Sequence, residues 1–149
     1  MNLSKHFTLE ELTFSQTATR LGIDNTPEAE TLSNLRGLAN FLEVIREKIK
    51  KPIYITSGYR SSELNNKIGG SKTSAHVYGN AADIIAPSYG TPADLAEIIA
   101  ALDLEFDQLI LEFGKWVHIA VSDKPRGEML TAINTSKGVQ YKSGLTDWV

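Results

Sequence analysis

The sequence predicts an α+β fold: a small, mainly antiparallel sheet with helices packed on one face and polar side chains left on the other. Three observations lead there. Two segments repeat apolar residues at helical spacing, several short runs are rich in β-branched and aromatic residues, and the histidines that stand out fall on or beside those short runs.

At 149 residues the chain has the size of one domain, taken as residues 1–149, and a chain of this length buries roughly two thirds of its unfolded surface. With 42% hydrophobic and 22% charged residues it is an ordinary globular composition, not a disordered one. A net charge of -3 with both signs interspersed gives no broad basic field, so nucleic acid is not expected as a partner. The absence of cysteine excludes disulfides and thiolate metal sites, so any metal must rest on histidine and carboxylate. The start, Met1-Asn2-Leu3-Ser4-Lys5-His6-Phe7, lacks the apolar run of a secretory signal, and no later run is long enough to span a bilayer. The expectation is a soluble monomer made in the cytoplasm without a signal peptide or membrane insertion.

Thr8-Leu9-Glu10-Glu11-Leu12 reads as a short helix, with Thr8 and Glu11 at the spacing of a capping box. From Thr26-Pro27 to Lys51 runs the strongest helical signal, with Thr26 as N-cap, Pro27 at the first helical position, and Leu32, Leu35, Leu38, Ala39, Leu42, Val44, Ile45 and Ile49 as its apolar residues. Pro52 closes it. Ile53-Tyr54-Ile55-Thr56 reads as a strand delivering Ser57-Gly58-Tyr59-Arg60 to its end, Ser61 to Ile68 as a brief helix, and Gly69 to Ser74 as a polar loop of the kind that borders sites. Asp83 to Ala86 reads as a second strand, and Pro92 to Leu102 as a second amphipathic helix capped by Thr91. Phe106–Leu111 and Trp116–Val121 form a hairpin across Phe113-Gly114-Lys115, which brings Glu112 near His118. Met129 to Ala132 is expected as a last edge strand, with an irregular tail from about residue 135.

His76, Asp83 and His118 supply two imidazoles and a carboxylate, the ligand set of a catalytic zinc ion that keeps its fourth position open for water. Their place on or beside strands separates them from metalloproteases whose two histidines share one helical face. Gly79 allows a tight turn between the first two.

Ser57-Gly58-Tyr59-Arg60, Ser74-x-His76-x-x-Gly79-x-Ala81-x-Asp83 and Trp116-x-His118 together resemble the signature of the zinc D-Ala-D-Ala carboxypeptidases and L-Ala-D-Glu endopeptidases. That group includes many bacteriophage lysins and shares its fold with the hedgehog signalling domain. The opening Leu3-Ser4-Lys5-His6-Phe7-Thr8-Leu9-Glu10-Glu11-Leu12 is similar to the start of its short, single-domain members, so roughly residues 3 to 133 fit. The resemblance implies one Zn²⁺ held by His76, Asp83 and His118 on the free face of the sheet, with Arg60 contacting substrate and an acidic residue near the last histidine as general base. It also implies hydrolysis of a peptide bond in a peptidoglycan stem peptide, such as L-Ala-D-Glu or D-Ala-D-Ala. The expected lack of a signal peptide and of a wall-binding domain adds the expectation of a phage or prophage lysin acting on the wall after release.

One position departs from the pattern. Many relatives place the base three residues before the last histidine, where this chain has Lys115, which cannot serve as a carboxylate base. Glu112 is therefore the candidate base, with Asp103, Glu105 and Asp107 as competitors. Arg60 offers a fixed planar charge suited to a substrate carboxylate or a developing oxyanion. Ser74 either hydrogen-bonds a ligand histidine or shapes its loop, and Tyr59, Tyr78 and Trp116 either line the substrate cleft or belong to the core. His6 is read as a helix-entry residue rather than a fourth ligand. The alternatives are a module of the same fold that keeps zinc without catalysis, as Lys115 would allow, or an enzyme acting on another peptide or amide.

Overall fold

A computed structural model describes residues 1–145 as an α+β domain built on one six-stranded sheet. The expected fold class holds, and the sheet is mainly antiparallel. In chain order come α1 (Leu9–Thr13), α2 (Gln16–Leu21), α3 (Ala29–Ile49), β1 (Tyr54–Ser57), α4 (Ser62–Lys67), a 3₁₀ turn (Ala75–Tyr78), β2 (Ala81–Ile85), α5 (Pro92–Ala101), β3 (Gln108–Glu112), β4 (Trp116–Ala120), β5 (Glu128–Thr135) and β6 (Gly138–Ser143). The strands lie in the order β1-β2-β4-β3-β5-β6, every neighbouring pair antiparallel except β3 with β5. Among the described residues no helix is long and apolar enough to cross a membrane.

The helices form where their ends are satisfied and their apolar faces have a sheet to cover. The expected capping box of Thr8 with Glu11 is present on α1, and Thr91, expected as the cap of α5, forms a capping box with Asp94, with Pro92 in the first turn. On α3 the buried residues Leu35, Leu38, Ala39, Leu42, Ile45 and Ile49 recur every three or four positions. They meet Ala82 and Ile84 of β2, Val117 and Ile119 of β4, and Leu109 and Leu111 of β3 in a single core shared with Leu95 and Ile99 of α5. Because strand side chains alternate, the intervening residues of these strands, Asp83, His118, Ile110 and Glu112, face the opposite side.

Several expectations need correction. The long helix begins at Ala29 with Glu28 rather than Thr26 as N-cap, and the Thr26 N–H donates to the Asp24 side chain in a turn that precedes the helix. Val44 is 42% exposed, off the buried stripe. The short helix α2 has no apolar repeat to announce it and is held by the Ser15 cap and the left-handed Gly22 at its end. Asp83 lies in the middle of β2 rather than at its start. The segment around Met129 is not an edge strand, and the chain after Thr135 is not irregular: Gly138–Ser143 doubles back as β6, which pairs with β5 and takes the edge. The last four residues of the expected tail, 146–149, lie outside the described residues.

The segment after β1 is fixed by contact with α1. The Tyr59 N–H donates to the Leu12 carbonyl at 2.7 Å, and a Cβ added at Gly58 would stand 2.3 Å from that same oxygen. Gly58→Ala should therefore push α1 off β1 and lower stability by about 1–3 kcal/mol, read as a fall in the chemical denaturation midpoint. An unchanged midpoint would mean that this approach is looser than its geometry.

Candidate metal centre

His118 and Asp83 are direct cross-strand partners on β4 and β2, so their side chains share one face of the sheet. His118 Nδ1 lies 3.0 Å from Asp83 Oδ1. His76 arrives from the 3₁₀ turn, whose start is capped by the Ser74 side chain and whose end is the left-handed Gly79. Its Nε2 stands 3.4 Å from the same Asp83 oxygen. All three residues are buried, and their ligand atoms lie within 4.8 Å of one another.

These spacings fit one tetrahedral ion: ligand bonds of about 2.0–2.2 Å imply donor separations of roughly 3.3 Å. The His76 tautomer fits as well. Its Nδ1 is 2.8 Å from the Gly58 carbonyl, which can only accept, so the proton sits on Nδ1 and the Nε2 lone pair faces the cluster. A backbone carbonyl thus orients one ligand, which gives the tight packing around Gly58 a second consequence.

Two further charged groups border this trio. Arg60 Nη2 lies 3.7 Å from Asp83 Oδ2, the oxygen turned away from the imidazoles. The Arg60 backbone N–H donates to the His76 carbonyl at 3.1 Å, and its Nε reaches Ser57 Oγ at 3.3 Å. Glu112 Oε1 stands 3.7 Å from His118 Nδ1. The hairpin explains why Glu112 rather than Lys115 takes this place. Phe113 and Gly114 form a two-residue turn with φ of 58° and 66°, so Lys115 sits in the loop while Glu112 ends β3 opposite Trp116, two positions from His118 on the same face.

The neighbourhood drives the two carboxylates apart. Burial works against ionisation of Asp83, yet its close contacts with His118 and His76 outweigh it and hold its carboxyl well below the usual range. Burial and the Asp83 charge push Glu112 up, against a smaller pull from His118 and Arg60. Burial also lowers Arg60, opposed by Asp83 and Glu112, and the guanidinium stays charged at any physiological pH.

These groups line a cleft of about 820 Å³, within the size range of small-molecule sites. Ser74 and Trp116 are in its wall, and Ser74 Oγ accepts from the His76 N–H at 3.3 Å, so it both borders the cleft and shapes the ligand turn. Trp116 meets Phe113 edge to face at 5.5 Å. Tyr78 is not in the wall. It is 53% exposed, because two positions past His76 on a 3₁₀ turn the side chain leaves about a third of a turn away. Tyr59 packs against the core. Asp107 borders the cleft but is held in a fork by Arg126, with both contacts at 3.0 Å, and Asp103 and Glu105 do not line it. His6 pairs with Glu43 of α3, apart from the metal trio. Sequence reasoning missed Gln108, Arg126, Leu130 and Tyr141 as lining residues, three of which come from the segment after residue 120.

The family model for peptidase M15 matches residues 5–120, most of the chain. The chain belongs to the peptidase M15 family. It is also similar to the zinc D-Ala-D-Ala carboxypeptidase of Streptomyces albus G, 48% identical over 40 residues, which make up 27% of this chain and 16% of that protein. The chain thus spans about a sixth of the length of this curated relative. The matched M15 region contains the trio, Arg60 and Glu112, and ends within the sheet, at the last residue of β4.

Because a buried carboxyl whose charged form is disfavoured titrates late, Glu112 of the metal-free protein should still bind its proton at a pH where an ordinary glutamate has lost it. Side-chain carboxyl NMR across an acid titration checks this. A Glu112 resonance that moves with the exposed glutamates would contradict the described burial.

Proposed function

We propose that this chain is a zinc metallopeptidase that hydrolyses a peptide bond in peptidoglycan stem peptides, as an L-Ala-D-Glu endopeptidase or a D-Ala-D-Ala carboxypeptidase. The observation that supports it most is the convergence of three buried metal donors in one cleft, with a guanidinium on one side and a carboxylate on the other. Membership of the M15 family and the similarity to the Streptomyces zinc D-Ala-D-Ala carboxypeptidase support the same reading.

His76 Nε2, Asp83 Oδ1 and His118 Nδ1 would hold the ion. Held there, the ion would supply Lewis-acid chemistry, making a water more acidic and a carbonyl more electrophilic. Glu112 takes the proton from the attacking water and hands it to the departing amine, so it is base first and acid second. Burial and the Asp83 charge make it the more readily protonated of the two acids, which suits a group that must gain and lose a proton. Arg60, fixed by Ser57 and Asp83, presents a charge to the substrate carboxylate or the developing oxyanion, a contact worth roughly 3 kcal/mol in the transition state. A non-catalytic zinc module would need no carboxylate beside the trio, and the position of Glu112 favours catalysis. The lysin role, as a phage or prophage product acting on the wall, is the setting we propose for this chemistry.

Glu112→Gln should keep its zinc and lose about 10²–10⁴ of wall-hydrolysing activity, measured as new amino termini released from purified peptidoglycan. Mass spectrometry of the wild-type products identifies the bond. Equal activity in wild type and variant would remove Glu112 from the mechanism, and cleavage of unrelated peptides but not wall would remove the peptidoglycan assignment.

A further inference from the structure

We propose that the β5–β6 hairpin is the substrate-selecting wall of this cleft, and that the Tyr141 hydroxyl donates a hydrogen bond to the bound peptide beside Glu112. This rests on the peptidase reading above and goes further, by assigning recognition to a segment beyond the residues that the M15 model matches. Arg126, Leu130 and Tyr141 all follow residue 120, yet they line the same cleft as the metal trio.

The strand register places them. His118 of β4 faces Ile110 of β3, which faces Leu130 of β5. In the neighbouring row Trp116 faces Glu112, Glu112 faces Ala132, and Ala132 faces Tyr141. Strands are about 4.8 Å apart, so Tyr141 starts roughly 10 Å from Glu112 on the same face, with only a methyl group between them. An aromatic side chain can lean across that gap.

The phenol is free to act. Tyr141 is 57% exposed although it lines the cleft, and its hydroxyl makes no hydrogen bond with the described residues. Burial and the Glu112 charge both push the hydroxyl up from its ordinary value, which keeps it a donor at neutral pH. A peptide lying along the cleft past Glu112 presents backbone carbonyls to it. The leaving-group side of the scissile bond is the part that must lie there, because Glu112 returns its proton to the departing amine.

The test uses the full chain loaded with zinc and a synthetic stem pentapeptide of mixed L and D residues ending in D-Ala-D-Ala. Tyr141→Phe should lower kcat/KM by roughly three- to tenfold, the worth of one hydrogen bond. Zinc content and thermal midpoint should stay those of the wild type. The same factor should appear in the peptide Kd, measured by calorimetry on Glu112→Gln with and without Tyr141→Phe. Tyr141→Ala should cost more, since the ring is lost as well. Unchanged kcat/KM and Kd in Tyr141→Phe would overturn the assignment. Should the wild type bind the peptide and not cleave it, the peptidase reading fails while the two Kd values still decide the role of Tyr141. A peptide that binds none of the proteins would overturn both.

Discussion

The register between β2 and β4 sets Asp83 directly across from His118, and the rest of the site depends on that alignment. A slip of one residue in β2 would turn Asp83 into the core and bring Ala82 and Ile84 out to water, and a slip in β4 would do the same with His118, Val117 and Ile119. Burial of those four apolar residues against α3 and α5 therefore also fixes the polar face. Packing under the sheet decides chemistry above it. The third candidate donor, His76, enters from a different part of the chain, and it is aligned by the Gly58 carbonyl just after β1, in a stretch that the Leu12 carbonyl of α1 pins from behind. Sheet pairing supplies two donors, and a helix contact positions the third.

Within a few ångströms the site holds two acids with opposite tendencies. Asp83 is nearly enclosed, which alone would favour its neutral form, but the two imidazoles against its oxygens keep it ionised. Glu112 has the same burial problem with less compensation, and the Asp83 charge adds to it. Pairs of carboxyls driven apart in this way divide their roles: one is a permanent anion suited to holding a cation, the other a group that exchanges its proton. The metal would add positive charge near both, and Glu112, at the margin of the trio, has the freer oxygens.

Much of this was legible in the sequence, because the residues that decide it obey short-range rules. Thr8 with Glu11, and Thr91 alone, announce helix starts through their side-chain chemistry, and the stripe from Leu35 to Ile49 announces a buried helical face. The trio His76, Asp83 and His118 was readable as a candidate ligand set by its residue types and its spacing around strands, and the Phe113–Lys115 turn was readable as bringing Glu112 toward His118. What was not legible depends on distant pairing. The β6 strand has little apolar patterning, since all six of its residues are exposed, and it exists because β5 offers it an edge. With β6 unread, Tyr141 could not be placed in the cleft. Tyr78 failed for a different reason: proximity to His76 in sequence says nothing about direction on a 3₁₀ turn.

The account stands most directly on one ion at one place. Crystals of the zinc-loaded protein, measured at the zinc absorption edge, should give a single strong anomalous peak about 2.0–2.2 Å from His76 Nε2, an Asp83 oxygen and His118 Nδ1, with an oxygen in the fourth position. A peak elsewhere, or one that leaves any of these three side chains outside bonding distance, would contradict it.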